Sequence, residues 1–295
     1  MKEERIVAGV DVGGTHISCA LVDVENEKTI WNTHIDMPIN SGGSAFEILD
    51  VFRGVIKELC SFEKKPVGIG VAMPGPFDYA NGICLMKGVG KYDSIYGVNL
   101  KELFAEASGL ERGDIIFMND AACFAMGEYY AGAGRGCRRM AAITLGTGFG
   151  SAFMSDGKII TEGTFVPEGG MFWNIPYKDG IADDYFSTRW FVDNYYKQTG
   201  KKINGVADLM IHFKNDKPAQ IIFNEFAQSI AWFMMPWLKL FETERLIIGG
   251  SIAKAEEFFV PLMQYTFADD GYDIDVRLTK LGFDAAIIGS ANLFK

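Results

Sequence analysis

The chain has 295 residues, and its 48% hydrophobic and 22% charged residues are typical of a globular protein rather than a disordered one. The formal net charge of −10 at pH 7 disfavours a nucleic acid or an anionic membrane as a partner, but not a local site for a small anion. The five cysteines form no CxxC pair, the start does not resemble a signal peptide, and no apolar run could cross a bilayer, so we expect a cytoplasmic protein.

The predicted elements open with a β-meander of three strands, over residues 5–10, 17–23 and 28–38. Helices and strands then alternate. Helical spacing after Ser44, the N-cap, predicts a helix, and a strand ending in Pro-Gly-Pro follows. A short helix between Asn99 and Gly109 precedes a strand that runs into a helix at Asn119-Asp120.

A second meander over residues 138–160 repeats the opening pattern of apolar strand, glycine turn and apolar strand, which indicates two related halves. Residues 181–240 are predicted to be mostly helical. A strand, a Gly-Gly turn and a helix follow over 245–267, and the chain ends in a helix. This order predicts an α/β protein of two lobes, joined by a hinge near residue 118.

Four turns rich in glycine follow apolar strands: residues 13–15, 132–134, 146–148 and 249–251. Glycines allow backbone N–H groups to approach a phosphate and permit positive φ, but such turns also simply close hairpins. Two similarly flanked turns about 130 residues apart favour a shared role over coincidence. The chain has neither the GxGxxG spacing of a dinucleotide site, which argues against an NAD-dependent oxidoreductase, nor a Walker A loop.

Several carboxylates accompany these turns. Asp11 could reach a hydrated Mg²⁺ or form an Asx turn, and Asp120 could be a general base or a helix N-cap. Glu168 could be a solvated loop charge, and Asp183-Asp184 could begin a helix; together with Asn119 these groups would suit sugar hydroxyls. The three histidines are dispersed without ligand spacing, and no GxSxG elbow occurs.

Taken in order, six blocks resemble the ROK-family sugar kinases, glucokinase-like members of the actin/hexokinase/Hsp70 ATPase superfamily: DVGGTHISCALVD, VAMPGPFD, NDAACFAMGEYYAG, LGTGFGSAFM, EGGM and IIGGSIAKA. The resemblance covers nearly the whole chain, and the combination is specific although single blocks are not. It implies an α/β fold of two actin-like lobes, each with a ribonuclease H-like core, and a cleft between them. The small lobe would hold residues 1–117 and the returning helix 284–295, and the large lobe 118–283.

The resemblance also implies roles for individual residues. Asp120 would be the catalytic base. Asp11 would hold Mg²⁺ through water. ATP would be bound by Asp11, Gly13, Gly14, Thr15, Gly146, Thr147, Gly148, Gly249, Gly250 and Ser251. The sugar would be bound by Gly75, Asn119, Glu168, and Asp183 or Asp184. A homodimer is also implied, and the aromatic segment 186–196 would suit its interface or a buried core.

The chain departs from the family pattern at the position of the family's zinc-binding histidine, where Met171 stands, and no cysteine follows. A zinc site is therefore not expected, and packing by Met171, Phe172, Trp173 and Tyr177 would hold that segment. The family's later sugar-binding glutamate is replaced by Asp183 or Asp184, and the segment 86–100 also differs. These departures leave the identity of the sugar open.

The sequence thus predicts transfer of the γ-phosphoryl group of ATP to a hexose hydroxyl, as in a glucokinase. One alternative is an N-acetylmannosamine or N-acetylglucosamine kinase. Another is a sugar-binding regulator without activity, against which the retained Asp11, Gly13, Asn119 and Asp120 argue. A transcriptional repressor is disfavoured, because the chain begins at the first strand without a helix-turn-helix and is acidic.

Overall fold

The computed structural model describes residues 4–295, which form two compact units. The first contains the residues up to Gly132 together with Phe283–Lys295, and the second contains Ala133–Gly282. The sequence places the boundary near residue 118, whereas the division falls after Gly132. The reason is that the helix Asp120–Tyr130 packs against the helix Asp284–Ala291 and so belongs to the first unit.

The first unit is built on a six-stranded sheet in the order β3-β2-β1-β5-β8, with β4 also paired to β2. β1 and β2 form an antiparallel hairpin, and β1, β5 and β8 are parallel. A separate two-stranded ribbon consists of β6 and β7. The strands are β1 Ile6–Val12, β2 His16–Asp23, β3 Lys28–Thr29, β4 Ile35–Pro38, β5 Ile69–Met73, β6 Phe77–Asp78, β7 Ile83–Cys84 and β8 Ile115–Asn119.

The second unit is built on a five-stranded sheet in the order β11-β10-β9-β14-β15. β9 and β10 form an antiparallel hairpin, and β9, β14 and β15 are parallel. The main strands are β9 Arg139–Leu145, β10 Phe149–Ser155 and β11 Lys158–Ile160, then β14 Arg245–Gly249 and β15 Asp275–Leu278, with a ribbon of β12 Pro176–Tyr177 and β13 Gly180–Ile181. The two sheets share one strand order, as the repeated sequence pattern predicts.

Local sequence signals set the helices of the first unit, which are α1 Ala45–Leu59, α2 Leu100–Ser108, α3 Asp120–Tyr130 and, from the end of the chain, α9 Asp284–Ala291. Ser44 and Glu47 form a reciprocal capping box at the start of α1. Asn99 caps α2, which ends at Gly109 with a φ of 76°. The apolar sides of α1 and α2 pack on the sheet in one core.

Small residues let α9 approach the sheet and α3 closely. A Cβ atom on Gly70 of β5 would lie 1.9 Å from the carbonyl oxygen of Ser290 in α9, and one on Gly127 of α3 would lie 1.9 Å from that of Ala285. Side chains at these two positions would collide with backbone atoms, so glycine is required for the packing. The C-terminal helix thereby becomes part of the first unit.

The helices of the second unit enclose a core rich in aromatic side chains. They are α4 Ala182–Tyr185, α5 Thr188–Thr199, α6 Val206–His212, α7 Lys217–Leu240 and α8 Glu256–Asp269. α7 continues through Pro236. Phe186 and Phe191 are fully buried, whereas Tyr196 is exposed, so most of the aromatic segment 186–196 belongs to the core rather than to a free surface.

Two further observations concern the sequence predictions. The single strand expected over residues 28–38 is two strands, β3 and β4, because the chain turns between them at Asn32, whose φ is 61°. Within the described part of the chain, every helix is too short or too polar to cross a lipid bilayer.

Candidate active site

The carboxyl ends of the parallel strands bring three polar residues to one edge of the first sheet. Asp11 near the end of β1 lies beside Ala72 of β5, and Met73 at the end of β5 lies beside Asn119 at the end of β8. α3 begins at the next residue, Asp120. Carboxyl ends of parallel strands are a common position for ligand sites in α/β proteins.

Asn119, rather than Asp120, is the N-cap of α3. Its Oδ1 accepts hydrogen bonds from the backbone N–H groups of Ala121 at 3.0 Å and Ala122 at 3.3 Å. Asp120 occupies the first helical position, where its Oδ1 lies 2.9 Å from the N–H of Ala121. The other carboxylate oxygen of Asp120 has no hydrogen-bond partner among residues 4–295, so it can accept a proton or a hydrogen bond from a ligand.

Tyr79 fixes the amide of Asn119. The Nδ2 of Asn119 donates to the Tyr79 hydroxyl at 3.4 Å, and that hydroxyl donates to the carbonyl oxygen of Met73 at 3.1 Å. Since Oδ1 of Asn119 is occupied by the helix cap, one N–H of its amide is left for a ligand. Gly75 adjoins this group, because a Cβ atom there would lie 3.4 Å from the Tyr79 hydroxyl.

Asp11 is electrostatically coupled to Asp120. Burial, and then the negative charge of Asp120, raise the pKa of Asp11 from 3.8 to about 7. A buried carboxylate that lies near a second negative charge is stabilised by a bound proton or by a cation. This donor set fits a hydrated Mg²⁺, which prefers carboxylate oxygens and keeps most of its water.

The first glycine hairpin joins β1 to β2 and consists of Gly13, Gly14 and Thr15. The N–H of Gly13 donates to the carbonyl oxygen of His16 at 2.9 Å, and the hydroxyl of buried Tyr92 donates to the carbonyl oxygen of Gly13 at 2.5 Å. Gly14 and Thr15 are exposed. Neither glycine has positive φ, so that part of the expectation was wrong, whereas the approach of the backbone to a phosphate stays a prediction. A Cβ atom on Gly13 would lie 3.0 Å from the carbonyl oxygen of His16.

The second glycine hairpin joins β9 to β10 and consists of Gly146, Thr147 and Gly148. The carbonyl oxygen of Gly146 accepts two hydrogen bonds from Thr188, one from its N–H at 2.7 Å and one from its Oγ1 at 2.9 Å. The N–H of Phe149 donates to Oδ1 of Asp183 at 2.7 Å. Thr147 is exposed at the tip. Gly146 and Gly148 also lack positive φ.

The glycine turn predicted over residues 249–251, which follows β14, lies against the second hairpin. Gly250 has a φ of 87°, and a Cβ atom there would lie 2.3 Å from the carbonyl oxygen of Leu145. A Cβ atom on Gly146 would lie 3.3 Å from the Oγ of Ser251. The structure therefore brings Gly249, Gly250 and Ser251 together with Gly146 in the second unit.

Glu168 and Asp184 have different surroundings. The exposed side chain of Glu168 has no hydrogen-bond or ionic partner among the residues that the structure describes. Asp184 accepts from the N–H of Ile181 at 3.1 Å, and its Oδ1 lies 3.2 Å from Nη2 of Arg189. Glu168 is thus the predicted sugar-binding carboxylate in this unit that is free to meet a ligand.

The segment that follows Glu168 is held by packing and by one buried hydroxyl. Ser151 donates through Oγ to the carbonyl oxygen of Gly170 at 3.0 Å and accepts from the N–H of Phe172 at 2.8 Å. Phe172 is fully buried among aromatic rings, whereas Trp173, also expected to pack there, is 43% exposed. Among residues 4–295, no group of three or more His, Cys, Asp or Glu side chains could hold a metal ion.

Comparison with known proteins identifies the family of this chain. The model of the ROK family matches residues 7–295. The chain belongs to the ROK family. One relative of this ROK protein is a glucokinase from Thermotoga maritima, which is 27% identical over an alignment that covers 97% of this chain and 96% of that protein. The resemblance seen in the sequence motifs is therefore confirmed.

Solved structures show the same fold. A ROK hexokinase from Thermus thermophilus matches with a TM-score of 0.82 at 18% identity, over 97% of both chains. A ROK glucokinase from Streptomyces griseus, solved in complex with glucose and AMPPNP, matches with a TM-score of 0.76 at 21% identity, over 98% of both chains. The predicted α/β, actin-like ATPase fold class is confirmed.

Four residues at these sites were missed by the sequence predictions. Tyr79 and Tyr92 hold Asn119 and Gly13 in the first unit, and Thr188 and Arg189 act on the second hairpin and its aspartates. None of them stands in a motif. Tyr79, Tyr92 and Thr188 contact partners that are 40 or more residues away in the chain, whereas Arg189 contacts aspartates five and six residues before it. Only Tyr92 could have been noticed in the sequence, because it lies in the glycine-rich segment 86–100, which differs from the family pattern.

Proposed function

We propose that this ROK protein is an ATP-dependent sugar kinase that transfers the γ-phosphoryl group of ATP to a hexose hydroxyl. The observation that carries the proposal is the carboxylate oxygen of Asp120 that has no partner among residues 4–295, at the start of α3 beside Asn119 and near enough to Asp11 to raise its pKa. A general base has to be held on rigid elements with one oxygen available, and the junction of β8 and α3 meets both demands.

Asp120 acts as the base in this proposal. As the hydroxyl oxygen of the sugar bonds to the γ-phosphorus, its proton passes to the free oxygen of Asp120. The bond from the γ-phosphorus to the oxygen that bridges the β- and γ-phosphates breaks, and ADP leaves with that oxygen. Positioning and electrostatics provide most of the rate in such a reaction.

The glycine hairpins bind the phosphates in this proposal. Gly14 and Thr15 are exposed at the tip of the first hairpin and Thr147 at the tip of the second, while Gly13, Gly146 and Gly148 are half-buried beside them. Each tip thus offers backbone and one hydroxyl to a phosphate. Gly249, Gly250 and Ser251 belong to the nucleotide site because Ser251 adjoins Gly146. Mg²⁺, when bound, offsets the negative charge of the phosphates, and Asp11 would hold it through water.

The sugar is bound by groups that still have free donors or acceptors. Asn119 offers its remaining N–H and Glu168 its unpaired carboxylate; Gly75 adjoins the Tyr79–Asn119 group. The carboxylate of Asp184 is exposed, but its two oxygens already meet the N–H of Ile181 and the guanidinium of Arg189, so it would contact the sugar only by giving up one of these partners. Asp183 is already engaged by the second hairpin. A glucokinase-like acceptor agrees with the relatives, and the absence of the family's histidine at Met171 leaves N-acetylhexosamines to be tested.

An ADP-release assay over a panel of hexoses and N-acetylhexosamines tests the proposal. We expect turnover with at least one sugar, dependent on Mg²⁺ and well above ATP hydrolysis without sugar. Calorimetry with sugar and with AMPPNP separately distinguishes the alternative of an inactive regulator, which would bind sugar and no nucleotide. No turnover with any sugar of the panel, together with sugar binding and no nucleotide binding, would contradict the proposal that the protein is a kinase. The cytoplasmic location and the homodimer stay predictions, the latter measurable by light scattering.

A further inference from the structure

We propose that Asp183 is a positioning residue that fixes the second glycine hairpin, together with Thr188, and that it does not bind the acceptor sugar. This role rests on the proposed function, in which the hairpin binds phosphates of ATP. It differs from the expectation for Asp183 drawn from the sequence, where the residue stands in place of a sugar-binding glutamate.

The short segment from Asp183 to Thr188 holds the hairpin at both ends. At the first end, the carbonyl oxygen of Gly146 accepts from the N–H and the hydroxyl of Thr188, at 2.7 and 2.9 Å. At the second end, the N–H of Phe149 donates to Asp183 Oδ1 at 2.7 Å, the short distance of a charge-assisted bond. Between these ends only Thr147 and Gly148 remain, so the tip has little freedom to move.

Gly148 shows how closely the carboxylate approaches the hairpin. A Cβ atom at this position would lie 3.0 Å from Oδ1 of Asp183. Because φ of Gly148 is not positive, the backbone itself would accept other residues. A side chain at position 148 would therefore press on the carboxylate of Asp183, which would have to shift by a few tenths of an ångström.

The orientation and charge of Asp183 are also fixed by other groups. Its N–H donates to the carbonyl oxygen of Trp173 at 3.0 Å, which holds the backbone, and Oδ2 lies 3.4 Å from Nη2 of Arg189. The guanidinium offsets a negative charge that would otherwise repel phosphates near the hairpin. A sugar hydroxyl would have to compete with both the amide and the guanidinium for this carboxylate.

The consequence for ligand binding is specific. If the hydrogen bonds from Asp183 and Thr188 are removed, the hairpin becomes more mobile and its N–H groups are no longer held in position for a phosphate. The affinity for the nucleotide then falls. Sugar affinity is unaffected, because Asp183 does not touch the sugar. Replacement of a residue that bound the sugar would instead lower the affinity for the sugar and leave the affinity for the nucleotide unchanged.

The test compares Asp183→Ala and Thr188→Val with Asp216→Ala. Asp216 lies in the same unit and also accepts a backbone N–H, that of Ala219 at 3.2 Å, but it has no contact with the hairpin. Calorimetry measures the dissociation constants of AMPPNP and of the best hexose. We expect AMPPNP affinity to fall about tenfold in D183A and about threefold in T188V, with sugar affinity within twofold, while D216A changes neither. Asp183→Asn, which can still accept from Phe149, should restore most of the nucleotide affinity.

Hydrogen exchange of the ligand-free proteins separates this role from the function on which it rests. We expect the amides of residues 146–150 to exchange faster in D183A than in the wild type and in D216A. Unchanged exchange, or a loss of sugar affinity with intact AMPPNP affinity, would overturn the positioning role. A wild-type protein that binds no AMPPNP would instead refute the proposed function and, with it, the nucleotide part of this role, even if the exchange result agreed.

Discussion

The two glycine hairpins have the same topology and different supports. Each joins the first two strands of a sheet whose other strands follow in the same order. The first is held by the Tyr92 hydroxyl on the carbonyl oxygen of Gly13 and by the N–H of Ile39 on that of Thr15, and its strand carries Asp11. The second is held by Asp183 and Thr188 through three hydrogen bonds, and neither residue is near it in sequence.

The carboxylates beside the two hairpins also differ in what they contact. In the first unit, carboxylates stand beside the hairpin with a free oxygen on Asp120 and a raised pKa on Asp11. In the second unit, the nearest carboxylate, Asp183, is used to fasten the backbone. Two sheets of the same strand order can thus place carboxylates for chemistry beside one hairpin and a carboxylate that supports the backbone beside the other.

Replacement of the base should give the largest effect. Asp120→Asn keeps the size of the side chain and removes the group that accepts the proton, so we expect kcat to fall about 10³-fold. Sugar affinity in calorimetry should stay within a few-fold of the wild type. The neighbouring cap on Asn119 Oδ1 is independent of this change and should keep the melting temperature close to that of the wild type. Retention of wild-type kcat would remove Asp120 from the role of base.

Asp11→Asn should reduce activity and change the pH dependence of stability. We expect kcat/KM to fall about 10²-fold, because the carboxylate proposed to hold hydrated Mg²⁺ loses its charge. Since the pKa of Asp11 is raised from 3.8 to about 7 on folding, the folded state binds more protons between these values. The contribution of Asp11 to stability is therefore full below about pH 4 and is lost as the pH rises through about 7.

Thermal and urea unfolding at several pH values measure this effect. The asparagine variant does not titrate, so relative to the wild type it should gain stability from pH 4 to pH 8, by up to about 4 kcal/mol. In Asp120→Asn the pKa of Asp11 should fall, because one of the two causes of its shift is gone. A stability difference that does not vary with pH would show that Asp11 is not titrating in this range.

Tyr92→Phe should have an intermediate effect confined to the nucleotide. The variant removes the hydrogen bond to Gly13 and keeps the buried ring, which stacks on Phe52 with centroids 6.1 Å apart. Loss of one hydrogen bond predicts a rise in KM for ATP of about threefold to tenfold, with KM for the sugar unchanged. Tyr96→Phe, at an exposed tyrosine in the same segment, is the matched control. Equal changes of KM for ATP in the two variants would show that the hydrogen bond from Tyr92 to Gly13 has no specific role in nucleotide binding.

Tyr79→Phe should give the smallest effect, on the sugar side. The bond from Asn119 to the Tyr79 hydroxyl is long at 3.4 Å, and the helix cap still holds Oδ1 of Asn119. Steady-state kinetics should show KM for the sugar raised about twofold to fivefold and KM for ATP unchanged. A larger effect on ATP than on the sugar would place Tyr79 with the nucleotide instead.

Much of the fold followed from short-range patterns. The caps at Ser44 and Asn99 and the stop at Gly109 were predicted correctly, since a helix end is decided by residues within one turn of it. The alternative that Asp120 is the N-cap of α3 was wrong, because Asn119 and Asp120 are both good caps and only the strand that precedes them fixes which backbone is helical.

Motifs predicted which residues lie near the candidate site better than they predicted which contacts those residues make. The motifs brought attention to Asp11, Asn119 and Asp120, which the parallel strands do place at one edge of the sheet. Motifs could not show that Asp183 faces a backbone N–H while Glu168 has no partner in the described part of the chain, because residue type alone does not reveal which polar groups a carboxylate meets.

By itself, the sequence determined the family, the two hairpin turns and most helix ends, because each depends on residues close together in the chain. The tertiary structure alone decided what fastens each turn: Tyr92 is 79 residues from Gly13, and Asp183 is 34 residues from Phe149. It also raised the pKa of Asp11, which required burial and the approach of Asp120. Such contacts are set by the packing of whole sheets and helices, and no local preference encodes them.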